Sequence, residues 1–492
     1  MSVRESPRDR LMGITPVRRQ SFIGFMSTIG STIVGFISTV YIAHAAGAGP
    51  LGAFYLLTAY SNILNLVADG GSGGAAVQRI AEGVEENAYF SAYTTIRLFL
   101  GLLTIGALLL ARPFLVDLDQ AGLFFWLVVT VMVGTAGALT ATGVYGRGMA
   151  GVSQIADLTG TIVRVIGQVV LVALGFLVAG LAGGLVAGIA AATLVNYRFL
   201  DLSLIRFQRR HLTGLWSFAV WSFFGGVTAV VVGSVDTILL GHFLLDSDVG
   251  FYRTAFQLAT MALFTTLAVR SSLGPRISRW YREGEVTAIE DALARAFTYA
   301  FLLGAPVCIG GWLLGAKLLY YLYGEPFVVA APALAVLFAA EAVTILVILE
   351  GMCLGSMNCP RETFAAAAAA AVVLLLLDLL LIPMVGITGA AAGLLVSMVV
   401  NWVLLHRSLK RRITVRTERH SIWVIIFSSV VMGAVVLLYQ AIVPLTTLPA
   451  LLGAVLAGGL VYGVLVLWGD QAVHDEIAAL ARDLGLPWPS WL

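Results

Sequence analysis

Apolar residues run along this chain in blocks of about twenty, separated by short breaks, from residue 20 to residue 468. A helix needs about 20 predominantly apolar residues to cross a hydrocarbon core about 30 Å thick, so each block predicts a membrane-spanning helix. Fourteen are expected, at 20–44, 52–75, 89–111, 121–145, 154–179, 181–204, 214–241, 250–273, 289–315, 328–356, 362–383, 386–406, 421–443 and 446–468. Gly47, Gly49 and Pro50, then Gly180, Pro383 and Pro444, mark the turns between them. The fold class predicted is an all-α polytopic membrane protein.

The blocks repeat. Ser38-Thr39, His44, Gly52 and Phe54-Tyr55 return 198 residues later as Asp236-Thr237, His242, Gly250 and Tyr252-Arg253. Gly184 to Gly188 with Val195-Asn196-Tyr197 return 205 residues later as Gly389 to Gly393 with Val400-Asn401-Trp402. Six crossings separate equivalent spans, and an even number returns the chain to the same face. Two like-oriented lobes are therefore expected, related by a pseudo-two-fold axis along the membrane normal. Arg18-Arg19 ahead of an apolar run ending in Ala43-His44-Ala45 has the outline of a signal peptide. That run is too long, however, and its counterpart near 214–241 lies deep inside the chain, which favours a membrane span.

The expected organisation is a cytoplasmic segment at 1–19, six-helix lobes at 20–211 and 212–406, and a basic cytoplasmic loop at 407–420. Two extra membrane helices at 421–468 and a cytoplasmic tail at 469–492 follow. In the tail, 475–482 reads as a short amphipathic helix and Pro487-Trp488-Pro489-Ser490-Trp491 as an interfacial end.

A hydrophobic fraction of 59% and a charged fraction of 11% leave no room for a large soluble domain, since soluble chains carry roughly 25% charged residues. Mean hydropathy is +0.95. The net charge of +2 says little, but its placement says much. With the N-terminus inside, twenty-four of the 29 Lys and Arg residues fall in cytoplasmic segments and two, Arg112 and Lys317, fall outside. Cytoplasmic loops carry an excess of basic residues, which puts both termini in the cytoplasm and the protein in the cell membrane. The stretch 406–420 is the most basic piece. It fixes topology, and each basic residue near anionic lipid headgroups adds about 1 kcal/mol of attraction.

Ionisable residues at bilayer depth cost several kcal/mol unless they face a cavity or a partner. Arg164 is the deepest cation, near the middle of the fifth span, and its repeat equivalent at 369 is alanine. Arg97, Arg253 and Arg270 lie nearer the ends of their spans. Guanidinium stays protonated and offers a planar fork of donors that fits phosphate oxygens, so Arg164, Arg253, Arg97 and Arg270 are candidate substrate-binding residues. A structural ion pair for Arg164, or snorkelling for Arg97 and Arg270, is the plainer alternative. Asp236, Glu341 and Glu350 sit well inside apolar sequence, and a desolvated carboxylate can carry a proton, which makes them candidate ion-coupling sites. Asp157 and Glu362 fall at equivalent cytoplasmic helix starts, where a carboxylate caps an N-terminus. The run from Asp69 through Gly74 suits either close helix contact or a hinge, and Pro275, Pro306 and Pro332 are positioned to kink spans eight to ten.

Other chemistries find no support. The chain has no phosphate-cradling loop, no HExxH helix and no nucleophile elbow, so an enzyme is not expected. Cys308, Cys353 and Cys359 lack metal-ligand spacing, the six histidines do not cluster, and neither a metal nor another cofactor is expected. Nothing suggests a nucleic-acid partner.

Gly49-Pro50-Leu51-Gly52-Ala53-Phe54-Tyr55, then Asp69-Gly70 and Arg79-Ile80-Ala81-Glu82, open the first lobe. Val235-Asp236-Thr237-Ile238-Leu239-Leu240-Gly241 and Asp248-Val249-Gly250-Phe251-Tyr252 open the second. This pattern resembles the polysaccharide and lipid-linked oligosaccharide flippases of the multidrug/oligosaccharidyl-lipid/polysaccharide exporter superfamily, over residues 20–468. The resemblance implies two six-helix bundles around a central cavity and alternating access. It also implies movement of an isoprenoid-phosphate-linked glycan from the cytoplasmic to the outer leaflet of the plasma membrane; a monomer is expected, and coupling to a proton or sodium gradient through the buried carboxylates is a separate expectation. Peptidoglycan-precursor flippases of the superfamily carry several cations in their opening helices, whereas this chain has none between Arg19 and His44. A cation-coupled multidrug or metabolite exporter of the same superfamily is the alternative, and it predicts an acidic cavity in place of an arginine-bearing one.

Overall fold

The structure is a computed structural model that describes residues 17–114, 122–471 and 473–475. These residues are helical, with no strand among them. The expected amphipathic helix after Asp475 and the tryptophan-bearing end at 487–491 lie outside the described residues.

Sixteen α-helices follow one another: α1 (Val17–Ala46), α2 (Ala48–Asp69), α3 (Ser72–Ala81), α4 (Glu86–Ala111), α5 (Leu123–Gly146), α6 (Ala150–Ala173), α7 (Leu177–Phe199), α8 (Arg209–Phe243), α9 (Asp246–Ala259), α10 (Phe264–Glu283), α11 (Val286–Tyr323), α12 (Ala331–Ser356), α13 (Pro360–Val385), α14 (Ile387–Lys410), α15 (Arg419–Ile442) and α16 (Leu448–Gly469). Among the described residues, thirteen helices are long and apolar enough to cross a membrane.

The eighth expected crossing differs from the rest. Residues 250–273 do not form one apolar helix: α9 ends at Ala259, a 3-10 turn covers Thr260–Leu263, and α10 carries Arg270, Arg276, Arg279 and Arg282. Proline behaves variously. Pro275 and Pro306 sit inside α10 and α11, while Pro332 stands at the start of α12, where a missing N–H costs nothing. Pro383, expected at a turn, lies inside α13, which continues to Val385.

The chain divides into two compact units, Met1–Gly250 and Phe251–Leu492. In the first, α8 packs on α2, α3 and α4. Asp69 ends α2, and Gly70 and Gly71 both take left-handed backbone, with φ of 55° and 75°. Gly71 is needed twice over, because a β-carbon there would also fall 2.1 Å from the Ala219 carbonyl oxygen on α8. The repeat-related glycines Gly52 and Gly250 have a reciprocal role. A β-carbon on Gly52 would collide with the backbone of Asp246, and one on Gly250 would fall 2.2 Å from the carbonyl oxygen of Ala48. Since 48 and 246 are themselves 198 apart, this is a self-complementary contact between two copies of one motif.

The second repeat has the same kind of cause. α6 and α7 approach closely because Gly160 and Gly188 face each other, and a β-carbon on Gly188 would lie 2.6 Å from the Gly160 carbonyl oxygen. In the second unit α13 and α14 meet through Gly389, where a β-carbon would lie 2.4 Å from the Leu381 carbonyl oxygen, and through Gly393.

Each unit straps down the segment that leaves its sixth helix. In the first, Ser203 N–H donates to Asn87 Oδ1 at 2.9 Å and Ile205 N–H to Ser91 Oγ at 2.8 Å. Arg147 bridges Glu86 and Asp201, and its hydrogen bonds to Asp201 push the guanidinium above its ordinary value. His211, buried, pairs with Glu85 at 3.0 Å. In the second, Thr414 N–H donates to Glu290 Oε1 at 2.6 Å and Thr298 Oγ1 to Glu418 at 2.6 Å, while Ile413 is buried in the core around Ile289 and Leu293. Arg407 and Lys410 still belong to α14, so the basic connection itself is 411–418. The last two helices pack on α11 through Leu314, Val436, Leu451 and Ala454.

Candidate functional site: a polar cavity in the first unit

Helices α2, α4, α5, α6, α7 and α8 line an open cavity of about 730 Å³. Its polar wall comes from Asn62, Asn65 and Asp69 on α2, Arg97 on α4, Asp157 on α6, Thr193 and Asn196 on α7, and Ser234 on α8. Its floor is small: Gly134, Gly137, Ala138 and Ala141 come from α5. Those glycines make room for the polar wall, since a β-carbon on Gly134 would lie 2.9 Å from Asn65 Oδ1 and one on Gly137 3.0 Å from Thr193 Oγ1.

The α2 residues stand at positions i, i+3 and i+7, one face of a helix. Arg97 is 2% exposed and fully turned toward them. Its Nη1 donates to the Asn65 carbonyl at 3.0 Å and to Asp69 Oδ1 at 3.3 Å, and its Nη2 donates to Asn65 Oδ1 at 3.1 Å. Asp69 is held further by the Gly73 N–H at 3.1 Å and by the Tyr93 hydroxyl. Tyr93 in turn accepts from Thr142 at 3.2 Å. The two Nη atoms therefore neutralise and orient α2, while Nε is buried without a hydrogen-bond partner among the described residues.

Three other polar groups line the cavity. Asp157 is exposed to the cavity, and its carboxylate has no hydrogen-bond or ion-pair partner among the described residues. Capping was expected of it, but α6 starts at Ala150, so Asp157 stands two turns inside the helix. Asn196 is 2% exposed, and its Oδ1 is buried without a partner. Asn62 is exposed at the cavity wall. Glu362, by contrast, stands in the first turn of α13 and pairs with Arg412 at 2.6 Å.

Arg164 is half-buried between α1, α6 and α7 and does not line this cavity. Its Nη2 would stand 3.9 Å from a β-carbon on Gly35, and Gly188 lies against its own Cβ. Its Nε is buried without a partner, and no carboxylate pairs with it among the described residues. Tyr55 is within electrostatic reach. Arg253 and Arg270 belong to the second unit: Arg253 stacks over the Phe256 ring at 5.1 Å, and Arg270 is exposed on α10.

The carboxylates nominated for ion coupling are all buried but lie in different surroundings. Asp236 is 2% exposed, and its Oδ1 accepts from the Thr237 N–H at 2.6 Å and Thr237 Oγ1 at 3.1 Å. Glu341, on α12, leaves Oε2 buried and unpartnered. Glu350 Oε1 accepts from Trp402 Nε1 at 3.3 Å and lies 2.9 Å from His406 Nδ1, while its Oε2 has no partner. Sequence reasoning missed this Glu350–His406–Trp402 cluster, although Trp402 and His406 share a face of α14 at i and i+4. It also missed Asn62 and Asn65, whose spacing to Asp69 was the available signal. The three cysteines are free, burial pushes the Cys359 thiol up, and no group of three metal-ligating side chains occurs among the described residues.

Comparison with known proteins agrees with this architecture. The chain is 24% identical over 449 residues to "Probable low-salt glycan biosynthesis flippase Agl15" of Haloferax volcanii, covering 91% of this chain and 95% of that protein. It is 25% identical over 472 residues to "Probable flippase AglR" of the same organism, covering 94% and 98%. In fold it resembles the lipid II flippase MurJ in an inward closed conformation, with a TM-score of 0.78 at 14% identity over 94% of this chain and 99% of that one. It also resembles an inward-facing multidrug resistance MATE family transporter of the MOP superfamily, with a TM-score of 0.60 at 15% identity over 77% and 95%. The fold is thus that of a MurJ- and MATE-like polytopic membrane protein, and the names of these relatives are those of transporters, as expected, not of enzymes. The family model described as "Polysaccharide biosynthesis protein" matches residues 50–332, more than half of the sequence, and the chain belongs to that family.

Proposed function

We propose that this chain is a flippase for a lipid-linked glycan, carrying an isoprenoid-phosphate-linked oligosaccharide or polysaccharide repeat unit from the cytoplasmic to the outer leaflet of the plasma membrane. The observation that carries this reading is the 730 Å³ cavity, which gathers amide, hydroxyl and carboxylate groups among helices of membrane-spanning length in a protein whose relatives bear flippase names. Its volume is in the range of small-molecule sites, about 300–1,000 Å³. In this reading both termini are cytoplasmic, the lipid tail stays in the bilayer, the protein works as a monomer, and alternating access opens the cavity to each side in turn. Arg164, with no carboxylate partner among the described residues, offers its guanidinium to phosphate, and Arg253 and Arg270 are further phosphate contacts. Arg97 acts through Asn65 and Asp69. Asp236, Glu341 and Glu350 couple transport to a proton or sodium gradient.

The test is reconstitution in liposomes with a fluorescent lipid-linked oligosaccharide. Protein-dependent appearance of the glycan in the opposite leaflet is expected, and equal rates with and without protein would end the reading. Indifference of the rate to both proton and sodium gradients would remove the coupling role of the three carboxylates alone.

One observation favours a second reading, a cation-coupled multidrug or metabolite exporter: the unpartnered carboxylate of Asp157 in the cavity suits an amphiphilic cation. Ethidium efflux that depends on Asp157, with no glycan flipping, would replace the first reading by this one.

A further inference from the structure

We infer that the first unit's cavity recognises the ring hydroxyls of an uncharged saccharide and excludes the phosphate; this deepens the proposed function and rests on it. Charge comes first. Arg97 is the one basic residue among the described lining residues, and its guanidinium is already engaged with Asn65 and Asp69. Asp69 and Asp157 remain as carboxylates on the wall. A diphosphate placed here would meet a neutralised cation and a free anion, which is the wrong electrostatics for a phosphate site.

Hydroxyl groups find the opposite situation. A sugar hydroxyl both donates and accepts, so it needs a wall that does both. Asn62 offers an amide, Asp157 two acceptor oxygens for neighbouring hydroxyls, and Asn196, which also lines the cavity, an Oδ1 that is buried with no partner among the described residues. A polar atom left unsatisfied in a non-aqueous setting is what a ligand donor would complete. The stretch of α2 from Asn62 to Asp69 rises about 10 Å, at 1.5 Å per residue, enough to lie along about two sugar rings. The glycine and alanine floor on α5 leaves space for flat rings with few protruding groups. Arg97 is a positioning residue in this arrangement: it fixes the Asn65 amide and the Asp69 carboxylate so that α2 presents one face.

The inference is tested by site protection in the full-length protein. Cys308, Cys353 and Cys359 are replaced by serine and Ala138→Cys is introduced, which adds a reporter on the floor and removes no polar wall residue. Maleimide modification is then timed in liposomes with a free neutral oligosaccharide, with pyrophosphate, or with tetraphenylphosphonium. Several-fold slowing by the oligosaccharide alone is expected, together with loss of that protection on Asp157→Ala or Asn196→Leu in protein that remains monodisperse. Protection by pyrophosphate, protection by the cation alone, or no protection by any of the three would overturn it. Flipping of a lipid-linked oligosaccharide that persists unchanged in the Asp157→Ala and Asn196→Leu variants would overturn this assignment while leaving the proposed function standing. Absence of flipping in the unsubstituted protein would instead remove the reading beneath it.

Discussion

The two units carry the same architecture and different chemistry. Gly188 in the first and Gly389 in the second each let a pair of helices meet backbone to backbone, and Asn87–Ser203 and Glu290–Thr414 each strap the segment leaving a sixth helix to the start of a third. Their polar interiors diverge. The first unit concentrates amides, hydroxyls and a paired arginine around one cavity and buries Asp236 apart from it, whereas the second buries Glu341, and Glu350 beside Trp402 and His406. The two units share contacts that position helices and differ in the polar side chains they bury.

The largest effect should come from Arg97. Removing one member of a buried pair typically costs 3–5 kcal/mol, so Arg97→Leu should lower stability by roughly 3 kcal/mol, given that Asp69 is partly exposed. The double variant Arg97→Leu/Asp69→Leu should recover most of that stability but not flipping, as thermal unfolding and the liposome assay would report. No loss in the single variant would mean that the pair does not organise the first unit.

Overpacking comes next. The repeat-equivalent Gly184→Ala and Gly389→Ala each push a β-carbon against backbone, at a cost of about 1–3 kcal/mol in unfolding measured in detergent. Equal losses would support a shared architectural role, and a loss in one unit alone would break the equivalence. A functional contrast follows. Glu350→Gln in the second unit should reduce the gradient dependence of flipping about tenfold while leaving free-oligosaccharide binding unchanged, and Asn62→Leu in the first should do the reverse. The smallest effect is expected at the straps: Asn87→Ala and Thr298→Ala should each cost about 1 kcal/mol, the usual net worth of one hydrogen bond.

Much of the fold could be read from the chain because lipid imposes simple rules. Run length gave the spans, and the repeated glycines at Gly184–Gly188 and Gly389–Gly393 turned out to be helix contacts. The eighth crossing resisted, because Arg270, Arg276, Arg279 and Arg282 make α10 too polar for a uniform apolar run. The site was harder. Depth along a helix singled out Arg164, but depth does not say which way a side chain points, and this one lies against α1 and α7, away from the cavity. The pairing of Arg97 with Asn65 and Asp69 joins residues 32 and 28 positions apart, which no local spacing encodes. The i, i+3, i+7 spacing of Asn62, Asn65 and Asp69 in an apolar span was a local signal that went unread, although these residues share the cavity wall.

A density map of the full-length protein in lipid nanodiscs with a bound lipid-linked neutral oligosaccharide tests the central claim most directly. Sugar density against Asn62, Asp157 and Asn196, with the phosphate outside the first unit's cavity, is the predicted result. Phosphate density inside that cavity, or sugar density on the carboxylates of the second unit, would contradict it.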